Sequence, residues 1–164
     1  MSKQGISFST QRLCINPIIH SDLVYERLCE ILTPEVTKYL PESFQKVNSI
    51  ASAREWLSIM QSQSEVIGIS NKADQKLIGL LIIYIDKSIA NIGYLFAEQA
   101  WHQGFANEFL DGLITTAKNE TSWKRLVGGV SVDNKASSRL LEKKGFRKAI
   151  DIENSMLSYF LDIR

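Results

Sequence analysis

The chain has 164 residues, enough for one domain with a sizeable core and too few for two, and its 45% hydrophobic and 23% charged residues are those of a globular protein. Nineteen Lys and Arg against eighteen Asp and Glu leave a net charge of +1, without the basic excess of a nucleic-acid-binding domain, so no nucleic-acid partner is expected. The longest apolar run, Leu77 to Ile85, falls far short of the roughly 20 residues a membrane helix needs, and the opening MSKQGISFST has no apolar signal core. Together these features predict a cytoplasmic protein without a membrane partner.

In chain order, Phe8 to Pro17 reads as a first strand closed by its proline. Ser21 and Asp22 suit a helix start, with Leu23, Leu28, Ile31 and Leu32 at helical spacing. Thr33-Pro-Glu begins a second short helix through Tyr39, and Ser52 to Gln61 a third, with Trp56, Leu57 and Met60 on one face. The middle of the chain then changes period. Val66 to Ser70 and Leu77 to Ile85 flank a polar turn as a hairpin, and Ile89 to Phe96 adds a third antiparallel strand. Phe105, Phe109, Leu113 and Ala117 recur at four-residue steps and predict a long helix. Leu126 to Val132 reads as a strand, Ala136 to Lys144 as a helix stopped by Gly145, and Arg147 onward as one or two final strands. No repeat or linker divides residues 1–164, so the reading is a single α+β domain around a mixed central sheet.

Two cysteines, Cys14 and Cys29, and two histidines, His20 and His102, form no metal-binding spacing, and no metal is expected. Both cysteines lie in apolar patterns and read as buried packing residues rather than nucleophiles.

Chemistry points to two strand-to-helix junctions. In the first, Gly93-Tyr-Leu-Phe96 leads through Trp101-His-Gln-Gly104-Phe-Ala106 into the long helix. Gly104 and Ala106 place small residues in its first turn, where unpaired amides favour an anion such as a pyrophosphate, although ordinary tight packing would explain them equally well. The Walker ending and the three-glycine dinucleotide spacing are both absent. In the second junction, Val130-Ser-Val-Asp-Asn134 ends a strand and Asp133 or Asn134 caps a helix carrying Ser137. Between Lys124 and Lys148 stand eight basic residues and two acidic ones, either a solvated face or a basic rim that steers a polyanion.

These segments resemble the GNAT family of N-acetyltransferases, and most of all its branch that acetylates the N-termini of ribosomal proteins. The likeness rests on Thr10-Gln-Arg12-Leu13 with Pro17, on Ile92-Gly-Tyr94 into Trp101-His-Gln-Gly104-Phe-Ala106, and on Asn134-Lys-Ala-Ser137 through Gly145-Phe146, covering roughly residues 8–148. The resemblance implies a GNAT fold with a splayed strand pair, acetyl-CoA as cosubstrate and an amine as acceptor. It implies that Tyr94, Leu95 and Phe96 face the pantetheine arm, with a bulge near that strand. It places the pyrophosphate on the amides of Gln103, Gly104, Phe105, Ala106 and Asn107, the cofactor arm on Asn134, and the departing thiolate on Ser137. No tyrosine lies between Val130 and Phe146 to act as the general acid used by other members. A thiol with pKa about 8.5 needs little proton assistance, so a hydroxyl suffices.

Where many relatives carry a basic glutamate, this chain has Asn91. Glu98, Asp86 and Glu153 are the carboxylates remaining near strand ends, and Glu98 is taken with Ser137 as a catalytic candidate. An α-amine with pKa about 8 needs the least help in losing its proton, which tilts the acceptor toward a protein N-terminus. A small amine (polyamine, amino acid or antibiotic) and a non-catalytic acyl-CoA-binding module are the alternatives, and the state is monomer or homodimer.

Overall fold

The computed structural model describes residues 5–153 and 155–164, with the side chains of residues 150–153 left aside. The elements are β1 (Phe8–Ser9), β2 (Leu13–Pro17), α1 (Asp22–Ile31), α2 (Pro34–Thr37), α3 (Ile50–Gln63), β3 (Glu65–Asn71), β4 (Leu77–Asp86), β5 (Ile89–Phe96), α4 (Phe105–Glu120), β6 (Arg125–Ser131), α5 (Lys135–Lys143), β7 (Arg147–Glu153) and β8 (Met156–Asp162). Short 3-10 turns lie at Glu42–Phe44 and Glu98–Ala100. The strands form one sheet in the order β1-β2-β3-β4-β5-β6-β8-β7. Neighbours are antiparallel except β5 and β6, which the α4 crossover makes parallel.

Helix starts follow local chemistry. The Ser21 side chain accepts from the Val24 amide at 3.1 Å, and Thr33 accepts from Val36 ahead of Pro34 at the first helical position. The third helix begins two residues before the expected Ser52 because Ser49 caps it and Ser52 reciprocates as a capping box. The expected first strand is two. The chain turns at Thr10 to Arg12: the Thr10 amide donates to the Leu13 carbonyl at 2.9 Å, and Phe8 and Ser9 pair back onto Ile15 and Cys14.

The central strands are apolar on both faces because helices cover both. Leu81, Ile83, Ile92 and Phe96 enter a core with α4 and α5, whose centre is Phe109 and Leu113. Leu80 and Leu95 enter the opposite core with α1 and α3, built on Leu28, Trp56 and Leu57. Neighbouring residues on β5 therefore anchor different layers. Cys14 and Cys29 prove half-buried rather than buried. The ring nitrogens of His20 lie 2.6 Å from the Tyr25 hydroxyl and 2.6 Å from Gln61 Oε1, and neither engages a cysteine.

Candidate active site

The site originates where the sheet comes apart. β5 and β6 pair only from Ile89 with Arg125 to Ile92 with Gly128; beyond that point β6 continues beside β8, while Gly93 to Phe96 keep only β4. The β4–β5 ladder runs without a register shift, and the irregularity near β5 lies one strand away, where the β3–β4 register slips by one residue around Ile78, beside Phe96; the opening itself arises from divergence on the β6 side. A cleft of about 530 Å³ occupies the opening, within the range of small-molecule sites. Tyr94, Leu95 and Phe96 form its floor, the starts of α4 and α5 its sides, and α2 with Lys38, Tyr39 and Leu40 its far wall.

One side is a tightly bonded loop. The Trp101 indole donates to the Phe96 carbonyl at 2.9 Å, fixing the loop to the end of β5. His102 and Gly104 both have left-handed backbones, with φ of 61° and 79°, and Gly104 caps α4 without a side chain. The first helical amides thus have no side-chain acceptor and stand at the positive end of the helix dipole. A Cβ on Gly104 would meet nothing closer than Arg12 Nη2 at 3.4 Å, so conformation rather than space demands glycine here.

Arg12 and Glu108, 96 positions apart, brace this loop. Arg12 donates from Nε to Glu108 Oε1 at 2.8 Å and from Nη1 to the Gln103 carbonyl at 2.9 Å, and its guanidinium lies 4.3 Å from the centre of the Phe105 ring. Glu108 also accepts from the Arg12 amide at 2.8 Å and from the Thr10 hydroxyl. Burial works to raise the Glu108 pKa, but the bonds from Thr10 and Arg12 outweigh it and hold the carboxyl below its ordinary range.

The other side is the start of α5, where Asn134 Oδ1 accepts from the Ser137 amide at 3.3 Å and leaves the side-chain nitrogen Nδ2 without a partner among the described residues. Tyr94 reaches across from β5, its ring packed 5.5 Å from Phe109. Its buried hydroxyl lies beside Ser137 but makes no hydrogen bond among the described residues, and burial pushes the phenol up to about 12, with Ser137 pulling it slightly down. Asn107 Oδ1, in the first turn of α4, is likewise buried and without a partner among the described residues.

Most expected residues therefore meet in one cleft: Tyr94, Leu95, Phe96, Gly104, Phe105, Ala106, Asn107, Asn134 and Ser137. Gln103 does not line it, because the left-handed residues on either side turn its peptide outward, its carbonyl to Arg12 and its side-chain amide to the Gln99 carbonyl at 2.7 Å. The position of Glu98 does not support a catalytic role: the side chain is solvent-exposed on the 3-10 turn and contributes nothing to the cleft lining. Asp86 pairs opposite Ile89, about 23 Å along β5 from Phe96 at 3.3 Å per residue. Asn91 donates to the Tyr84 carbonyl at 3.3 Å and does not line the cleft. The Glu153 side chain lies outside the described residues.

The basic rim divides. Arg125 pairs with Asp162 at 2.5 Å, Arg125 and Arg147 stack on Phe160, and Lys144 pairs with Asp111 at 2.9 Å, so these serve the fold. Lys135 and Arg139 are exposed on α5, beside the lining residues Ala136 and Leu140. Sequence reading missed the Arg12–Glu108 brace, and it missed Glu35, the carboxylate that does line the cleft, 2.7 Å from Lys38. Among the described residues no group of metal-ligating side chains comes together, and no helix is long and apolar enough to cross a membrane.

A sheet divided between two parallel strands, with two helix starts facing each other across the gap, is the architecture of an acyl-transfer fold. The model of the acetyltransferase (GNAT) domain matches residues 12–147. The N-acetyltransferase YoaA of Bacillus subtilis (strain 168) is 28% identical over 145 residues, covering 85% of this chain and 81% of that protein. The GNAT-family acetyltransferase of Bacillus anthracis superposes with a TM-score of 0.79 at 20% identity, covering 96% of this chain and 99% of that one. RimL, a ribosomal L7/L12 α-N-protein acetyltransferase solved with coenzyme A, gives 0.71 at 18% identity, covering 93% and 95%. The chain belongs to the GNAT family, and it is an enzyme of the acyltransferase class.

Proposed function

We propose that the protein transfers an acetyl group from acetyl-CoA to a primary amine, with a protein N-terminal α-amine as the preferred acceptor. The carrying observation is the cleft between the diverging strands, where unpaired α4 amides and the partnerless Tyr94 hydroxyl and Asn107 Oδ1 converge. These groups fit coenzyme A. The amides of Gly104 to Asn107 suit its pyrophosphate, the open side of Gly93 to Phe96 its pantetheine amides, and the Asn134 side-chain Nδ2 its arm. Lys135 and Arg139 at the mouth suit a polyanionic donor.

The thioester supplies the activated acetyl group, and the strands and α5 hold it and the amine together, so positioning accounts for much of the rate. The Ser137 hydroxyl donates a hydrogen bond to the sulfur as charge develops on it. The lining supports this choice of acceptor. Among the described residues the lining carries one carboxylate, Glu35, which already faces Lys38 at 2.7 Å, and this favours an amine that arrives largely neutral. At pH 7 about a tenth of an α-amine with pKa near 8 is neutral, against about four in ten thousand for a lysine near 10.4. RimL, a ribosomal L7/L12 α-N-protein acetyltransferase, shares this fold.

Incubation with acetyl-CoA and a panel of peptides with free N-termini, lysine analogues and polyamines, read by released thiol, tests this reading. Turnover highest with peptides is expected. Turnover confined to polyamines or another small amine reassigns the acceptor. Coenzyme A binding with no turnover on any amine overturns the acceptor assignment.

A further inference from the structure

Resting on that functional reading, we propose that Tyr94 is a positioning residue for the leaving thiolate: its hydroxyl donates a hydrogen bond to Ser137 Oγ and so keeps the Ser137 proton directed at the sulfur. Three observations carry this. The Tyr94 hydroxyl is buried and has no hydrogen-bond partner among the described residues, a costly condition in a folded protein unless a ligand-bound state relieves it. It lies beside Ser137, and both side chains line the same cleft although they come from β5 and α5. Ser137 Oγ makes no other hydrogen bond among the described residues, since the Asn134 cap uses only the Ser137 amide.

A serine hydroxyl has one proton and two acceptor sites. If Ser137 donated to Tyr94, no proton would remain for the sulfur. If Tyr94 donates instead, the chain from phenol to serine to sulfur is complete, and each bond polarises the next. The ring cannot drift from this role, because it is wedged 5.5 Å from Phe109, with the ring of Phe96 also against Phe109.

In the reaction the amine lone pair forms the N–C bond, the C–S bond breaks with its electron pair on sulfur, and the surplus ammonium proton leaves to water. A phenol held at about 12 does not give its proton to a thiolate whose conjugate acid is near 8.5. Tyr94 therefore remains neutral and acts through a hydrogen bond, not as a general acid. Its place on a strand explains why a search for tyrosine along α5 finds none.

The first measurement needs no acceptor. Coenzyme A is bound to the wild type, Tyr94→Phe and Ser137→Ala, and its thiol is titrated by thiolate absorbance. Glu35, Lys38, Tyr39 and His102 also line the cleft, but they are common to all three proteins, so the differences isolate the hydroxyls. In the wild type the bound thiol is expected to ionise below the value of about 8.5 for a free thiol. Tyr94→Phe should raise it by about one unit, a tenfold loss of thiolate at a given pH, and the double variant should titrate as Ser137→Ala does. Steady-state kcat should fall about tenfold in Tyr94→Phe with the acetyl-CoA KM unmoved. The melting temperature should not fall, since the lost hydroxyl had no partner. A bound thiol that titrates identically in wild type and Tyr94→Phe overturns the proposal, as does a loss of stability without a change in titration. A shifted thiol with no acetyl transfer to any amine overturns the functional reading and leaves this one standing. Absence of coenzyme A binding overturns both.

Discussion

The two layers on either side of the sheet are built by different means. The α4–α5 layer is specified by backbone and by partly buried polar groups: a left-handed glycine, a guanidinium–carboxylate brace, an indole bonded to a strand carbonyl and a capped second helix. The α1–α3 layer is apolar packing around Leu28, Trp56 and Leu57, and it reaches the cleft only through ordinary side chains on and after α2. The first layer can hold a ligand by its main chain, which makes it suited to a fixed donor. The second can change its side chains without disturbing the sheet, which suits it to setting the acceptor.

If the division is sound, damage to one layer leaves the duty of the other intact. Leu57→Ala, at a fully buried site in the α1–α3 core, should cost about 2–5 kcal/mol of stability in denaturant unfolding, yet leave coenzyme A affinity of the folded protein unchanged. A parallel loss of affinity would show the layers to be one unit. Gly104→Val imposes a side chain at φ of 79° and should weaken coenzyme A binding by about ten- to a hundredfold in calorimetry, from about 1–3 kcal/mol of backbone strain. Equal affinity in wild type and variant would remove the pyrophosphate from this loop.

A finer test uses acid. The Glu108 carboxyl titrates below its unfolded value of about 4.3, so its brace contributes stability that is fully present above that pH and is lost as pH falls through the folded value. Glu108→Gln should therefore lower stability at pH 7 by about 1–2 kcal/mol and lessen the further decline below about pH 4. An acid limb as steep as that of the wild type would assign it to other carboxylates. The smallest effect is expected of Glu98→Gln: kcat/KM within about twofold of wild type, and a pH profile that still rises with the pKa of the acceptor used. One fixed enzymatic pKa, the same for every acceptor and lost in this variant, would restore Glu98 as the base.

The same division explains what can be read in the sequence. Both junctions of the donor layer are legible, because Gly104, Ala106 and the Asn134 cap act through local backbone rules that a short segment carries with it. The apolar runs of β4 and β5 announce strands, and the four-residue apolar period announces α4. Contacts between distant positions are not legible. Arg12 with Glu108, and Tyr94 with Ser137, join residues that only the sheet topology brings together. Glu98 is eligible on sequence because it follows β5 closely, but nearness along the chain says nothing about direction, and the 3-10 turn points it into water. Glu35 escapes notice because a carboxylate early in a short helix reads as a partner for the helix dipole.

The early end of the β5–β6 ladder has a consequence for solubility and exchange. Gly93 to Phe96 form an edge strand in the middle of a sheet, with every second residue offering unpaired main-chain groups on the β6 side. An edge on the outside of a protein invites another chain to pair with it. This one is four residues long and opens into the cleft between the starts of α4 and α5 rather than along an outer edge of the sheet. The fold can leave such an edge permanently open without an aggregation hazard, and a slender amide-bearing ligand can complete the sheet as a guest strand, slowing hydrogen exchange at those residues while it is there.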